Sequence, residues 1–178
     1  LRHVDLFGTI ILPALLIFVR APFLFGWAKP VPVNFYRLRR PKRDMVWVAL
    51  AGPGTNVLLA LVSAVLLHLA PLFPGDTGAW IGRMLQNSIF LNLLLAVFNM
   101  IPLPPLDGGR VAVGLLPPNL ARPLARLERF GFLILIGLLF FLPIVSQRLG
   151  MPIDIFLDVV LPPVLFLSEM ILLITGHI

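Results

Sequence analysis

The sequence has 178 residues, of which 59% are hydrophobic and 12% charged, whereas a soluble domain is nearer half apolar and a quarter charged. This composition excludes a water-soluble fold, and a mean hydropathy of +1.00 predicts an integral membrane protein. The net charge of +6 could suggest a nucleic-acid partner, but the cations lie in loops between apolar runs, which favours anchoring at the cytoplasmic face and no nucleic acid. The absence of cysteine excludes disulfides and thiolate metal sites.

The apolar runs predict an all-α fold, a polytopic membrane helix bundle of about four to five transmembrane segments. The length is enough for one domain, so we expect a single membrane domain over residues 1–178.

The first apolar stretch, residues 6–26, is interrupted by Pro13, Arg20 and Pro22. A full crossing needs about 20 apolar residues, so this stretch is either a kinked span or a shallow hairpin that enters and leaves on one side. His3, just before it, is either a metal ligand or a locally hydrogen-bonded residue at a helix end, and the second interpretation is favoured.

The main polar segment, residues 27–44, reads as a cytoplasmic loop because it is rich in cations. Its six cations are Lys29, Arg37, Arg39, Arg40, Lys42 and Arg43. Prolines alternate with other residues from Lys29 to Val33, which predicts an extended piece. That piece is either a stiff connector or an edge that pairs with a substrate strand.

Residues 45–71 predict a strong membrane helix with small residues from Gly52 to Gly54 near its start, which favour close helix packing. Asn56 lies in the same helix, and a buried amide must find hydrogen-bond partners. Asn56 is therefore either glue between helices or a donor to a developing oxyanion.

The second half of the sequence alternates loops with apolar segments. We expect a short external loop at 72–84, a span at 85–105 and a cytoplasmic segment at 110–129, because the cations Arg110, Arg122, Arg126 and Arg129 lie there. Residues 130–146 and 155–176 are further apolar segments.

The chain is organised around residues 99–110. Three prolines, at 102, 104 and 105, prevent the preceding helix from continuing, so the backbone is expected to break just before Asp107. An ionisable residue at membrane depth marks a functional site by default, and Asp107 can hold a metal or cation there. The alternative is an interfacial helix cap that faces water. Asn99 either braces the broken backbone or touches substrate.

The residues of this segment follow the pattern Asn-x-x-Pro-x-Pro-x-Leu-Asp-Gly from Asn99 to Gly108, which resembles the second metal motif of the site-2 protease family, the intramembrane zinc metalloproteases. Three further stretches resemble signatures of the compact bacterial and archaeal branch and follow in the family's order: His3 to Thr9, Phe25 to Asn34 and Ala51 to Asn56. The resemblance covers residues 1–130 and leaves 131–178 as C-terminal transmembrane helices.

The family's first motif, His-Glu-x-x-His, is absent from this sequence. The histidines are His3, His68 and His177, and none precedes a glutamate. The family motif lies upstream of the segment that opens this chain, so we expect an N-terminally truncated piece; a catalytically dead relative is the other account.

The resemblance implies a metalloendopeptidase that hydrolyses peptide bonds of membrane-embedded substrates in the cell membrane of a prokaryote. It implies zinc as the cofactor, Asp107 as a zinc ligand and Asn56 and Asn99 as substrate contacts or supports, with membrane lipids and a transmembrane protein or peptide as partners. Without His-Glu-x-x-His, this chain is expected to be inactive as it stands. The alternatives are a non-catalytic membrane scaffold and a transporter subunit, since broken helices with midplane carboxylates also occur in transporters.

Overall fold

A computed structural model describes residues 10–18, 40–150 and 153–178. The chain divides into two compact units, residues 1–37 and 38–178, and each is described by itself. In the first unit the described part contains the short helix α1, Leu12–Phe18. The expectations for His3, for Lys29 to Val33 and for most of the polar loop lie outside the described residues.

The second unit is a set of helices joined by short turns. The first of these are α2 (Pro41–Leu67), a 3-10 turn (Ala70–Leu72), α3 (Asp76–Asn99), α4 (Asp107–Leu115) and α5 (Pro118–Arg126). A 3-10 turn (Leu127–Phe130), α6 (Gly131–Ile136), a π turn (Gly137–Phe141) and α7 (Leu142–Arg148) continue directly from α5. A π turn (Phe156–Val160) and α8 (Leu161–Ile174) complete the unit.

Four helical stretches are long and apolar enough to cross a membrane: Lys42–Leu72, Asp76–Asn99, Pro118–Arg148 and Phe156–Ile174. The described parts of the chain contain helices and no strand. This is expected in a bilayer, where the backbone must satisfy its own hydrogen bonds. Many large apolar side chains are exposed, as lipid contact requires; Trp47 is 64% exposed and Phe140 66%. The predicted all-α, multi-pass membrane fold is confirmed.

The core of the second unit lies where α2, α3 and α8 meet. Small residues of α2, Ala60 and Ala64, are fully buried in a cluster with Leu93 of α3, Val160 of the second π turn and Val164 of α8. Small side chains let helix backbones approach closely, which is the main source of packing energy between helices in lipid.

A polar link crosses the same interface. The hydroxyls of Ser63 in α2 and Ser88 in α3 lie 2.8 Å apart, and the Asn92 amide donates to the Ser88 carbonyl at 2.9 Å. The Asn92 bond lies within α3, whereas the Ser63–Ser88 bond joins the two helices. In membrane proteins an interhelical hydrogen bond contributes on the order of 0.6 kcal/mol, so the serine pair fixes the register of α2 and α3 more than it adds stability.

One expectation for this region is wrong in part. Residues 72–84 were expected to form a loop, but α3 begins at Asp76. The turn is short because Gly75 adopts a positive φ of 62°, which glycine tolerates. Gly78 then brings α3 close to the 3-10 turn, since a Cβ there would lie 2.7 Å from the Ala70 carbonyl oxygen.

The C-terminal end of α8 meets the C-terminal end of α2. The imidazoles of His68 and His177 stack with centroids 4.0 Å apart. His68 Nε2 lies 2.7 Å from the Thr175 carbonyl oxygen, and His177 Nε2 lies 2.8 Å from that of Ala64. Therefore α2 and α8 run in the same direction, and their C-terminal ends lie side by side.

This arrangement predicts the outcome of cysteine labelling. The chain has no native cysteine, so Asp76→Cys and Ile178→Cys each introduce one reporter. We expect a membrane-impermeant maleimide to label both from the same side of the membrane. Labelling of positions 76 and 178 from opposite sides would contradict the parallel arrangement of α2 and α8.

Candidate functional site

The helix break predicted before Asp107 is confirmed. Helix α3 ends at Asn99, and α4 begins at Asp107. Between them residues 100–106 form a compact loop, in which Leu103 N donates to the Ile101 carbonyl at 2.7 Å and Leu106 N donates to the Leu103 carbonyl at 3.0 Å. The prolines exclude a continuous helix because they lack N–H donors, and the loop instead satisfies part of its backbone through these tight turns.

Two glycines after Asp107 allow the loop to fold back onto the start of α4. A Cβ on Gly108 would collide with the Met100 carbonyl and lie 2.5 Å from that of Ile101. A Cβ on Gly109 would collide with Pro104 N and lie 2.5 Å from the Leu103 carbonyl carbon. Both glycines therefore serve close backbone contact with the loop.

A third glycine closes the loop from the other side. Gly131, the first residue of α6, is buried, and a Cβ there would collide with the Pro104 carbonyl and the Pro105 ring. The start of α6 therefore packs directly against the proline segment. Any Cβ at this position would have to push backbone away, which a packed site resists.

Asp107 lies against helix α2. A Cβ placed on Gly52 would lie 3.1 Å from Oδ2 of Asp107. Seven residues further along α4, Gly114 contacts Val46 and lies close to the Lys42 carbonyl. Helix α4 therefore runs antiparallel to the first half of α2, and this packing holds the carboxylate beside the small residue Gly52.

The carboxylate of Asp107 is half-buried between these helices. In sequence, Asp107 lies between the candidate spans Asp76–Asn99 and Pro118–Arg148. Burial raises the pKa of Asp107 above its usual value, and the positive charge of Arg110 opposes that rise. Arg110 in turn forms an ion pair with Glu128, with Nη2 and Oε1 3.5 Å apart.

Asn56 lies one helical turn after Gly52, on the same face of α2. This places it on the side of the helix that meets Asp107. The side chain is half-buried, and within residues 40–150 and 153–178 its amide has no hydrogen-bond partner. The described part of the chain thus offers no partner through which Asn56 would act as glue between helices.

Asn99, at the last position of α3, binds its own helix. Its Nδ2 donates to the Leu95 carbonyl at 2.9 Å. The amide therefore ties the end of α3 to the turn before it, and within the described residues it forms no hydrogen bond with the loop prolines or with Asp107.

An apolar groove of about 700 Å³ lies on the other side of the loop. Met100, Ile101 and Pro102 line it together with residues of α2, α3 and the start of α8. Its α2 residues Leu50 and Gly54 lie on a different face of that helix from Gly52. The groove is therefore distinct from the Asp107 side.

The described residues do not complete a zinc site. Catalytic zinc takes three protein ligands, and within the described ranges no group of three or more His, Cys, Asp or Glu side chains could hold a metal. Among the described residues, Asp107 is a single carboxylate without a second potential zinc ligand grouped around it. His68 and His177 lie at the end of α2 away from it and engage carbonyl oxygens through Nε2.

Sequence reasoning identified the break and the acid but missed the contact between Gly52 and Asp107. The glycines at 52 and 54 indicated that another helix packs closely against this part of α2, but their spacing does not indicate that this helix is α4. The stacked histidine pair was also missed, because its members are more than a hundred residues apart in sequence.

Comparison with known proteins adds a family to this geometry. The model of "Peptidase family M50" matches residues 75–143, which include the break, Asp107 and the following glycines. No solved structure matches the chain at a significant level.

Three relatives are named as zinc metalloproteases on provisional assignment. YwhC of Bacillus subtilis (strain 168) is 37% identical over 153 residues, covering 84% of this chain and 66% of the relative. MJ0611 of Methanocaldococcus jannaschii is 47% identical over 64 residues, covering 36% of this chain and 31% of the relative. Rip2 of Mycolicibacterium smegmatis is 37% identical over 94 residues, covering 52% of this chain and 34% of the relative.

The chain thus spans just under two thirds of YwhC and about a third of the other two. The matches agree with the motifs read from the sequence and with the helical membrane fold. The chain belongs to peptidase family M50, the site-2 protease family that its motifs resemble.

Proposed function

We propose that this chain forms part of an intramembrane zinc metalloprotease and supplies Asp107 as a zinc ligand. The proposal rests on the position of the Asp107 carboxylate. A helix broken by prolines ends at Asp107, and glycine packing presses the new helix against α2, so that Oδ2 lies beside Gly52. A carboxylate presented in this way is a suitable ligand for Zn²⁺.

Peptide hydrolysis requires an activated water, and a zinc ion with three protein ligands supplies one near neutral pH. The remaining ligands and the general base would come from a His-Glu-x-x-His helix, in which two histidines share one face. The 178-residue sequence contains no such motif.

Asn56 is proposed as a substrate contact. It lies one turn from Gly52 on the same face of α2, with an amide that binds no other described residue. An amide N–H in this position can donate to the oxygen that develops charge when a peptide carbonyl is attacked. Asn99 is proposed as a support, since its amide ties off the end of α3 immediately before the loop.

The proposed substrate is a transmembrane protein or peptide. The helices around the break are apolar and exposed, so the protein contacts membrane lipids. A peptide bond that reaches Asp107 must come through this environment. Hydrolysis would take place between the candidate spans, where loop 100–106 replaces regular helix.

The decisive experiment compares zinc content and cleavage in two proteins. One is the 178-residue chain, and the other is the same chain preceded in frame by a segment that contains His-Glu-x-x-His. We expect the chain alone to hold well under one zinc per molecule and to cleave nothing, because one carboxylate cannot replace three ligands. The longer protein is expected to hold one zinc and to cleave a transmembrane substrate.

Zinc is measured by mass spectrometry of the metal after size-exclusion chromatography, and cleavage by the appearance of the product peptide. A 1:1 zinc content in the chain alone would contradict the proposed need for further ligands. Zinc in neither protein would remove Asp107 from the role of ligand.

A non-catalytic scaffold is the second candidate function. It is favoured by one observation, that the described residues bring a single potential ligand to the site. If the reading frame upstream of Leu1 lacks His-Glu-x-x-His, the scaffold becomes the better account; a frame that contains the motif favours the protease.

A further inference from the structure

A small cavity lies where two candidate spans begin. It measures about 330 Å³ and is lined by Lys42 at the start of α2, Val113 of α4 and four residues of α5: Pro118, Ala121, Arg122 and Ala125. The candidate spans start at Lys42 and at Pro118. Since both starts border one cavity, they lie on the same side of the membrane, and the cavity lies at the boundary between lipid and water.

The polar part of the lining is positive. Lys42 and Arg122 belong to different helices, both are exposed, and within residues 40–150 and 153–178 neither forms an ion pair with a carboxylate. The carboxylate nearest to Lys42 in sequence, Asp44, is engaged by the backbone N–H of Arg40 at 3.0 Å. Two cations thus face one space without a protein anion between them.

The rest of the lining is apolar. Val113, Ala121 and Ala125 offer only hydrocarbon to the cavity, and Pro118 offers its ring. A free, fully hydrated anion makes no favourable contact with this apolar lining. A phospholipid, in contrast, carries its phosphate next to glycerol and the first methylenes of its acyl chains, and so matches both parts of the lining.

We infer that this cavity binds the headgroup of an anionic phospholipid, with the phosphate between Lys42 and Arg122 and the glycerol region against Val113, Ala121 and Ala125. Lysine and arginine next to a membrane surface attract anionic lipids, and arginine forms paired hydrogen bonds with phosphate oxygens. The bound lipid would join α2, α4 and α5. Helix α4 is the one that begins with Asp107, so the lipid would also steady the helix that carries the acid.

The test measures phosphatidylglycerol binding to the full chain. The chain is placed in nanodiscs of phosphatidylcholine with increasing phosphatidylglycerol, and retained lipids are counted by native mass spectrometry. We expect Lys42→Gln and Arg122→Gln each to weaken phosphatidylglycerol binding about fivefold, and the double variant about twenty-fivefold. The chain should show no comparable retention of phosphatidylcholine.

Two matched sets of variants separate the cavity from general charge effects. Arg83→Gln and Arg148→Gln remove the same charge at exposed positions that do not line the cavity, and they should leave the count unchanged. Lys42→Arg and Arg122→Lys keep the charge and should keep most of the binding. Circular dichroism confirms that each variant remains helical, and for any variant that unfolds, the methionine exchange at that position (Lys42→Met or Arg122→Met), which also removes the charge, takes its place.

Equal losses in the Arg83 and Arg148 variants, or equal retention of both lipids, would overturn the inference. A third arm adds millimolar inorganic phosphate, which should not displace the lipid. Displacement at that concentration would assign the cavity to a free anion and overturn the lipid assignment. None of these readouts depends on zinc or on proteolysis, so the test of the lipid site is independent of the test of the proposed function.

Discussion

Replacing Asp107 by asparagine is expected to reduce zinc-dependent cleavage more than a hundredfold in the protein that contains the complete ligand set. Losing a group that merely supports a ligand costs about 10–100-fold in metal affinity or activity, and loss of a ligand should cost more. Asparagine has the same shape but no charge, so it preserves the contact with Gly52 while it removes the donor that Zn²⁺ prefers. Zinc content and product release are measured on the same preparation.

The fold should survive this exchange. Burial of the Asp107 carboxylate is unfavourable to its charged form, so a neutral amide in its place should not lower the melting temperature. Asp76→Asn is the matched control. Asp76 is exposed in the first turn of α3, and the loop that leads to Asp107 follows the opposite end of α3. If Asp107→Asn retains full zinc content and cleavage, Asp107 is not a ligand.

A single added methyl group at Gly109 is expected to destabilise the second unit by about 3 kcal/mol or more, at the upper end of what overpacking costs. The methyl group would collide with the backbone of Leu103 and Pro104, which cannot rotate away as a side-chain end can. For a chain of this size, that loss corresponds to a melting temperature roughly 6–12 °C lower. Thermal unfolding in detergent, followed by circular dichroism, measures the shift. Gly131→Ala is expected to behave in the same way, since its Cβ would meet Pro104 and Pro105.

The chain supplies two controls for this prediction. Among residues 10–18, 40–150 and 153–178, a Cβ on Gly54 or on Gly137 would have no neighbour within 4 Å, leaving out the adjoining backbone of its own helix. Alanine favours a helix interior over glycine by up to about 1 kcal/mol, so Gly54→Ala and Gly137→Ala should be neutral or slightly stabilising. If Gly109→Ala unfolds at the same temperature as these controls, the loop is not held by close contact with α4.

Much of this structure could be predicted from the sequence because lipid restricts the alternatives. Long apolar runs had to be helices, and the prolines at 102, 104 and 105 had to end one of them. The predicted boundaries were less accurate. The loop expected at 72–84 ends at Gly75 in the structure, because Gly75 allows a tight turn and Gly78 lets the first turn of α3 pack closely against Ala70.

The roles expected for the two asparagines depended on neighbours that the sequence does not name. Asn56 and Asn99 both follow apolar residues in membrane helices, and a sequence pattern cannot tell one from the other. In the structure Asn99 is tied to Leu95, whereas Asn56 lies beside the face of α2 that meets Asp107, without a partner in the described ranges. The assignment of Asn56 to substrate and of Asn99 to support stays a prediction.

By itself, the sequence determined the class of this protein: a helical membrane protein with an acid at a proline break, and a relative of the M50 peptidases. Those features follow from local chemistry, since hydropathy and proline act on adjacent residues. Only the tertiary structure decided what surrounds the acid. The contact of Gly52 with Asp107 joins residues far apart in sequence, and so does the cavity that Lys42 and Arg122 both line. They depend on how whole helices pack, because the energy that selects one packing comes from many small contacts at once.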